Sequence, residues 1–192
     1  MTDLPEAFSA DGEPVRYLLK YKSSLERRLR QSRMEDLFGA VDLGFYLTAL
    51  QRPAGALEVV SFLSDHIVFD GNDNVWTPAG YGICLQARLS RLNGNHQAAH
   101  EVMERIRVHP FQVSEAREQV TERIASLPPK IEEAYQTTSR KWSCHRLART
   151  LYNVCFYHEA AVHGLIHAEW VPVEALEVLM QGGLEKLGER LQ

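Results

Sequence analysis

Gly44-Phe45-Tyr46-Leu47-Thr48-Ala49-Leu50-Gln51-Arg52-Pro53-Ala54-Gly55-Ala56 and Ala87-Arg88-Leu89-Ser90-Arg91-Leu92-Asn93-Gly94-Asn95-His96-Gln97-Ala98-Ala99 are two versions of one pattern. In each, a small residue stands twelve positions before an alanine, and a chain reversal lies between them. In the first, Pro53 follows a two-residue turn and suits the opening position of a helix, where its missing N–H costs nothing. In the second, Asn93-Gly94-Asn95 stops one helix and releases the next. Small residues at both ends of the pattern let the paired helices approach closely. The reading is two helix hairpins.

The same punctuation extends outward. Pro14 opens a helix to about residue 31, with Val15, Leu18, Leu25 and Leu29 on one face. A second, about 32–51, is apolar nearly all round from Leu37 to Leu50 and reads as buried. The third starts at Pro53 and runs to about 69 along Ala56, Val60, Leu63 and Ile67. Residues 70–77 are dense in turn formers, so Thr77 is the expected N-cap and Pro78 the first residue of a fourth helix to about 92. Further helices are expected at about 96–107, 113–126, 129–138 and 141–163. A last one follows Pro172, with Gly182-Gly183 able to bend it. No stretch alternates with period two. The fold class is all-α, eight or nine helices in antiparallel hairpins, with residues 1–12 a flexible N-terminus and 13–192 one domain.

The 192 residues are 45% hydrophobic and 24% charged, enough for one domain core. No run of eighteen apolar residues spans a membrane. The start, Met1-Thr2-Asp3-Leu4-Pro5-Glu6, lacks the basic and apolar regions of a secretory signal. Cys84, Cys144 and Cys155 are odd in number and widely spaced, which argues against a disulfide framework and for a reducing, cytoplasmic setting.

The second hairpin resembles a tetratricopeptide repeat. Ala87 and Ala99 occupy the small positions, Gly94 the turn, Met103 the large apolar slot, and Pro110 falls near the closing proline. Ser90 and Ile83 depart from the aromatic positions of that pattern, and the two hairpins are 43 residues apart. The resemblance implies a tetratricopeptide-like helical array; an irregular helical bundle is the other architecture these periods allow.

Charge is segregated along the chain. Residues 1–13 carry −4, 14–33 carry +6, 34–87 carry −6, 88–149 carry +4 and 150–192 carry −4, for a net −4. In the acidic block, Asp65, Asp70 and Asp73 stand beside Trp76 and Tyr81, with Glu58 and Asp42 nearby. Clustered carboxylates next to an aromatic suit a partner with a basic cleft: the charges steer association and the ring anchors it. The basic segment 14–33 has its charges spread around the helix in an acidic chain, which does not favour nucleic-acid binding.

Catalytic signatures are missing: no GxSxG, no Walker A loop, no GxGxxG, no HExxH. Asp70-Gly71-Asn72-Asp73-Asn74 lacks the ligand alternation and closing glutamate of a calcium loop. His96 and His100, and His163 and His167, are four apart on expected helices, with Glu159 four before His163 and His158 on the same helix. Paired histidines can share a metal, but the Glu-x-x-His spacing of a di-iron bundle is not here. His100-Glu101 and His158-Glu159 have acid–base groups without a nucleophile. The expectation is no enzyme, no cofactor and no metal.

Over residues 43–106, the paired hairpins, the acidity and the Asn/Asp loop resemble bacterial immunity proteins, the small cytoplasmic antidotes to secreted antibacterial toxins, including those of type VI secretion systems. That resemblance implies inhibition of a toxin, a nuclease above all, by tight binding and occlusion of its active site through an acidic surface, with Asp65, Asp70, Asp73, Trp76, Glu58 and Asp42 as the contact residues. Two other classes fit the residues. One is a helical adaptor or secretion chaperone that holds a peptide or effector along a face with Tyr81 and Asn95. The other is a helical metalloenzyme using His158, His163 and His167.

Overall fold

A computed structural model describes residues 34–66, 73–107 and 116–192. The expected flexible N-terminus and the helix at 14–31 lie outside the described residues, as do Asp70 and Pro110. The described chain is all-α. Its helices are α1 (Met34–Ala49), α2 (Pro53–His66), α3 (Asp73–Leu92), α4 (His96–Arg107), α5 (Arg117–Ala125), α6 (Leu127–Tyr135), α7 (Arg140–Val162) and α8 (Val173–Leu191), with a 3-10 turn at Ala168–Trp170 before α8.

Helix α1 is central. It packs against α2, α3, α7 and α8. Leu37, Val41, Leu43, Phe45, Tyr46 and Leu47 are each at most 1% exposed although they point around the whole helix. A stripe would need one covering partner; an apolar perimeter needs several. Gly44 sits at the crossing of three helices. A Cβ there would meet Val60 of α2 at 2.9 Å and Leu85 of α3 at 3.0 Å. Ala56, Ala87 and Ala99, the other small residues of the two hairpins, are fully buried.

Both hairpins turn by the same hydrogen bonds. After α1, Gln51 N–H donates to Thr48 C=O (3.0 Å) and Arg52 N–H to Leu47 C=O (2.8 Å). After α3, Gly94 N–H donates to Arg91 C=O (2.9 Å) and Asn95 N–H to Ser90 C=O (2.9 Å). This is the Schellman closure, which needs a left-handed residue past the helix end. Gly94 supplies it at φ +78°; in the first hairpin Gln51 adopts φ +58°. Asn95 then caps α4, its Oδ1 accepting from Ala98 N–H at 3.1 Å.

Helix α3 begins four residues before the expected N-cap, so Thr77 and Pro78 lie inside it. Pro78 deletes one early backbone hydrogen bond. Trp76, 2% exposed, gives that first turn a large apolar surface to bury, which offsets the loss. Helices α5 and α6 are separated by Ser126 alone, in right-handed helical geometry. Pro128 and Pro129 occupy the first turn of α6, where N–H groups have no intrahelical acceptor. Helix α8 runs through Gly182-Gly183; Gly183 lets α8 close on Leu151 of α7, since a Cβ would meet Leu151 Cδ2 at 2.6 Å.

Candidate functional site

The densest polar constellation is buried where α3, α7 and α8 meet. Helix α3 sends Arg88 and Arg91 from successive turns, α7 sends His158 and Glu159, and α8 sends Glu177. The Glu159 side chain is 0% exposed and that of Arg88 3%. Arg88 donates through both terminal nitrogens to both oxygens of Glu177, at 2.6 and 2.5 Å. Arg91 also grips both oxygens of Glu159, through Nη2 at 2.8 Å and Nε at 3.3 Å. Such fork-to-fork pairs combine charge with fixed geometry. The two pairs are cross-linked: Arg88 Nη1 is 3.8 Å from Glu159 Oε1, and Arg91 Nη2 is 3.9 Å from Glu177 Oε2.

His158, 3% exposed, joins the carboxylates. Its Nδ1 is 3.0 Å from Glu159 Oε1 and its Nε2 3.2 Å from Glu177 Oε2. His163 approaches from the end of α7, with Nε2 3.5 Å from Glu159 Oε2. Burial alone would push the Glu159 carboxyl up. Contacts from His158, His163 and Arg91 overcome it and hold the group well below the usual carboxylate range. Glu177 is held down by its hydrogen bonds from Arg88. Burial pushes the neighbouring Cys155 and Cys84 thiols well up, and Glu159 adds to it. They stay protonated at neutral pH, and a thiol is a poor nucleophile. The carboxylates and guanidinium groups here neutralise one another, with the buried Arg88 Nε left without a hydrogen-bond partner. The arrangement is a buried clamp on three helices, with its acids and bases spent on structure.

A second polar centre lies toward the N-terminal end of α7. The Tyr152 hydroxyl donates to Asp42 Oδ1, and His145 Nδ1 is 3.4 Å from Asp42 Oδ2. Arg149 lays its guanidinium 3.8 Å above the Phe38 ring, a cation–π contact. Burial first, then the Asp42 charge, pushes the Tyr152 phenol well up.

The acidic residues singled out in the sequence separate into surface and interior. Glu58 and Asp65 are exposed and lie two turns apart on α2. Phe62, midway between them, is half-buried against the core. Asp73 is the first residue of α3. Asp42 is 3% exposed because α1 has no solvent face, and Trp76 is 2% exposed; neither side chain contributes to a surface in this conformation.

Among the histidines, α7 ends at Val162, so His163 and His167 do not share a helical face. His163 caps the helix, and Gly164 at φ +69° turns the chain away. His167 is exposed, its ring 4.6 Å from that of Trp170. His100 is exposed and 3.8 Å from Glu104. Among the described residues, no group of three or more His, Cys, Asp and Glu is placed to hold a metal ion. No helix among them is long and apolar enough to cross a membrane. Tyr81 donates to Asn153 at 3.3 Å and Asn95 caps α4, so both residues of the expected peptide-binding face have internal work.

Sequence reasoning missed Arg88, Arg91 and Glu177. Their signal is local: Arg88 interrupts the run from Leu85 to Leu92, and Glu159 sits in the most apolar helix of the C-terminal half. A charge on a buried face demands a partner. No protein-family model, curated protein or solved structure matches this chain.

Proposed function

We propose that this protein is a helical binding protein of the immunity type, which neutralises a cognate antibacterial toxin by covering its active-site cleft. The observation that carries the reading is the outer face of α2. Glu58 and Asp65 are exposed there, half-buried Phe62 lies between them, and the acidic block continues in sequence through Asp70 to Asp73. Carboxylates flanking an aromatic match a basic cleft, and a nuclease cleft must be basic to hold phosphate. In this reading the two hairpins form a tetratricopeptide-like array that presents α2 as a stiff edge. The buried clamp supports it, because a rigid surface loses less entropy on binding. Phe62 replaces Trp76 as the aromatic anchor.

Affinity capture from source-cell lysate followed by mass spectrometry tests the reading. The expected result is one dominant partner, bound one to one, with a basic cleft. The double reversal Glu58→Lys and Asp65→Lys is then expected to slow association about tenfold or more at low salt. Unchanged association kinetics remove α2 from the interface. Many weak partners sharing a linear motif replace the reading with the adaptor.

A further inference from the structure

A groove of about 380 Å³ lies between the α5–α6 segment and α7. Its polar lining is Arg123, Lys130, Arg149, Ser126, Thr150 and Asn153; no carboxylate is among the lining residues. We propose that this groove is a binding site for a small phosphate-bearing anion, a phosphate ester or short polyphosphate.

The argument rests on how Arg149 and Lys130 are partnered. Arg88, Arg91, Arg107 and Arg146 each hold a carboxylate within 3 Å. Among the described residues, the Arg149 side chain makes no hydrogen bond. Its closest carboxylate oxygen is Asp42 Oδ1, 4.0 Å from Nε, and the Nε is buried without a partner. Asp42 Oδ1 already accepts from the Tyr152 hydroxyl, and the other oxygen, Oδ2, faces His145 Nδ1 at 3.4 Å. What holds the Arg149 guanidinium is the Phe38 ring beneath it, which fixes the plane and leaves its edge for an acceptor. Lys130 Nζ donates at 3.0 Å to the Ser126 hydroxyl, a neutral group, and has no ion-pair partner among the described residues. Arg149 and Lys130 thus line one concavity whose lining residues include no carboxylate.

Such an arrangement attracts an anion, and a phosphate completes it best. A planar guanidinium grips two of its oxygens while the ammonium acts as a point charge on a third. Asn153 adds an amide that already donates to Arg149 C=O, which keeps it at the rim. The volume falls within the range of small-ligand sites. The three cations of the groove come from residues 88–149, a stretch with a balance of +4 in a chain of net charge −4. The site is independent of the acidic face of α2, which lies on another helix.

Isothermal titration calorimetry of the full chain, with inorganic phosphate, pyrophosphate, AMP and hexaglutamate as separate probes, tests this. Saturable one-to-one binding of a phosphate probe is expected. Lys130→Met, an exposed position, is expected to weaken it about tenfold or more, and Arg149→Met likewise. Arg146→Met, which removes an exposed cation of the same helix already paired with Glu133, should leave the affinity within about twofold. Circular dichroism melts confirm that each variant is folded, and Lys130→Met decides the matter if Arg149→Met is not. The proposal is overturned by no saturable heat with any phosphate probe. It is equally overturned if Arg146→Met weakens binding as much as Lys130→Met, or if hexaglutamate binds more tightly than every phosphate probe.

Discussion

Gln51 holds a left-handed backbone that a side chain resists, at a cost of about 1 kcal/mol. Gly94 occupies the equivalent place in the other hairpin without that cost. Gln51→Gly is therefore expected to stabilise the protein by about 0.5–1 kcal/mol, read as a rise in Tm, despite the added freedom of the unfolded chain. Gly94→Ala should lose about the same amount, because no atom within 4 Å adds a clash. Glu159 is the opposite kind of residue, one whose charge was moved inside and then answered. Glu159→Gln leaves Arg91 and His158 partly unanswered in the interior and is expected to cost about 3–5 kcal/mol in urea unfolding. Its pH signature follows from linkage. A carboxyl held below its unfolded value stabilises the fold at every pH above the ordinary carboxylate range, and that contribution fades as pH falls from about 4 toward the lowered value. Melts of the wild type should decline below about pH 4 more steeply than those of Glu159→Gln.

Helices in this molecule are placed by how closely their backbones can pass. Where α8 crosses the end of α1, a Cβ on Gly188 would lie 2.9 Å from the Ala49 carbonyl oxygen. Backbone cannot rotate away as a side chain can, so Gly188→Ala is expected to destabilise by about 1–3 kcal/mol. Gly182→Ala, with nothing within 4 Å, should be neutral or stabilising in the same thermal assay. The element scale is also where sequence reading worked and where it stopped. Pro53 and Asn95 sit at helix starts because each suits an N-terminal position, and the periods that follow them define α2 and α4. Thr77-Pro78 carried an equally good start signal, yet the helix begins at Asp73. A local signal gives way when a side chain as large as Trp76 gains a core by extending the helix backward.

For the whole molecule, the all-α class was legible because helical periodicity repeats in every segment. The charged clamp was not, because its bonds join residues 68 and 89 positions apart. Periodicity says which face of a helix is apolar; it does not say which helices will stand opposite. Of the residues grouped in the acidic block, Glu58 and Asp65 are outside, Asp42 and Trp76 inside. Asp42 could have been assigned from α1 itself, since a helix apolar on all sides offers a charge no route to water. The basic groove escaped the sequence because Lys130 and Arg149 come from different helices and approach only once α6 lies along α7.

The three thiols supply a way to watch this architecture breathe. Cys144 near the start of α7 is 3% exposed, its thiol pushed up to about 11, chiefly by burial. Cys155 and Cys84 are 0% exposed, beside the clamp. A thiol that cannot react in place reacts only when its surroundings open, so the labelling rate with an aromatic disulfide reagent counts openings. Cys144 should be labelled first, by fraying of the end of α7. Cys84 and Cys155 should wait for the clamp to part and be labelled together. Glu159→Gln should shorten that wait while leaving the first event nearly unchanged. Cys144 at the start of α7, and Cys84 of α3 with Cys155 of α7 beside the clamp, act as independent clocks for local and global unfolding.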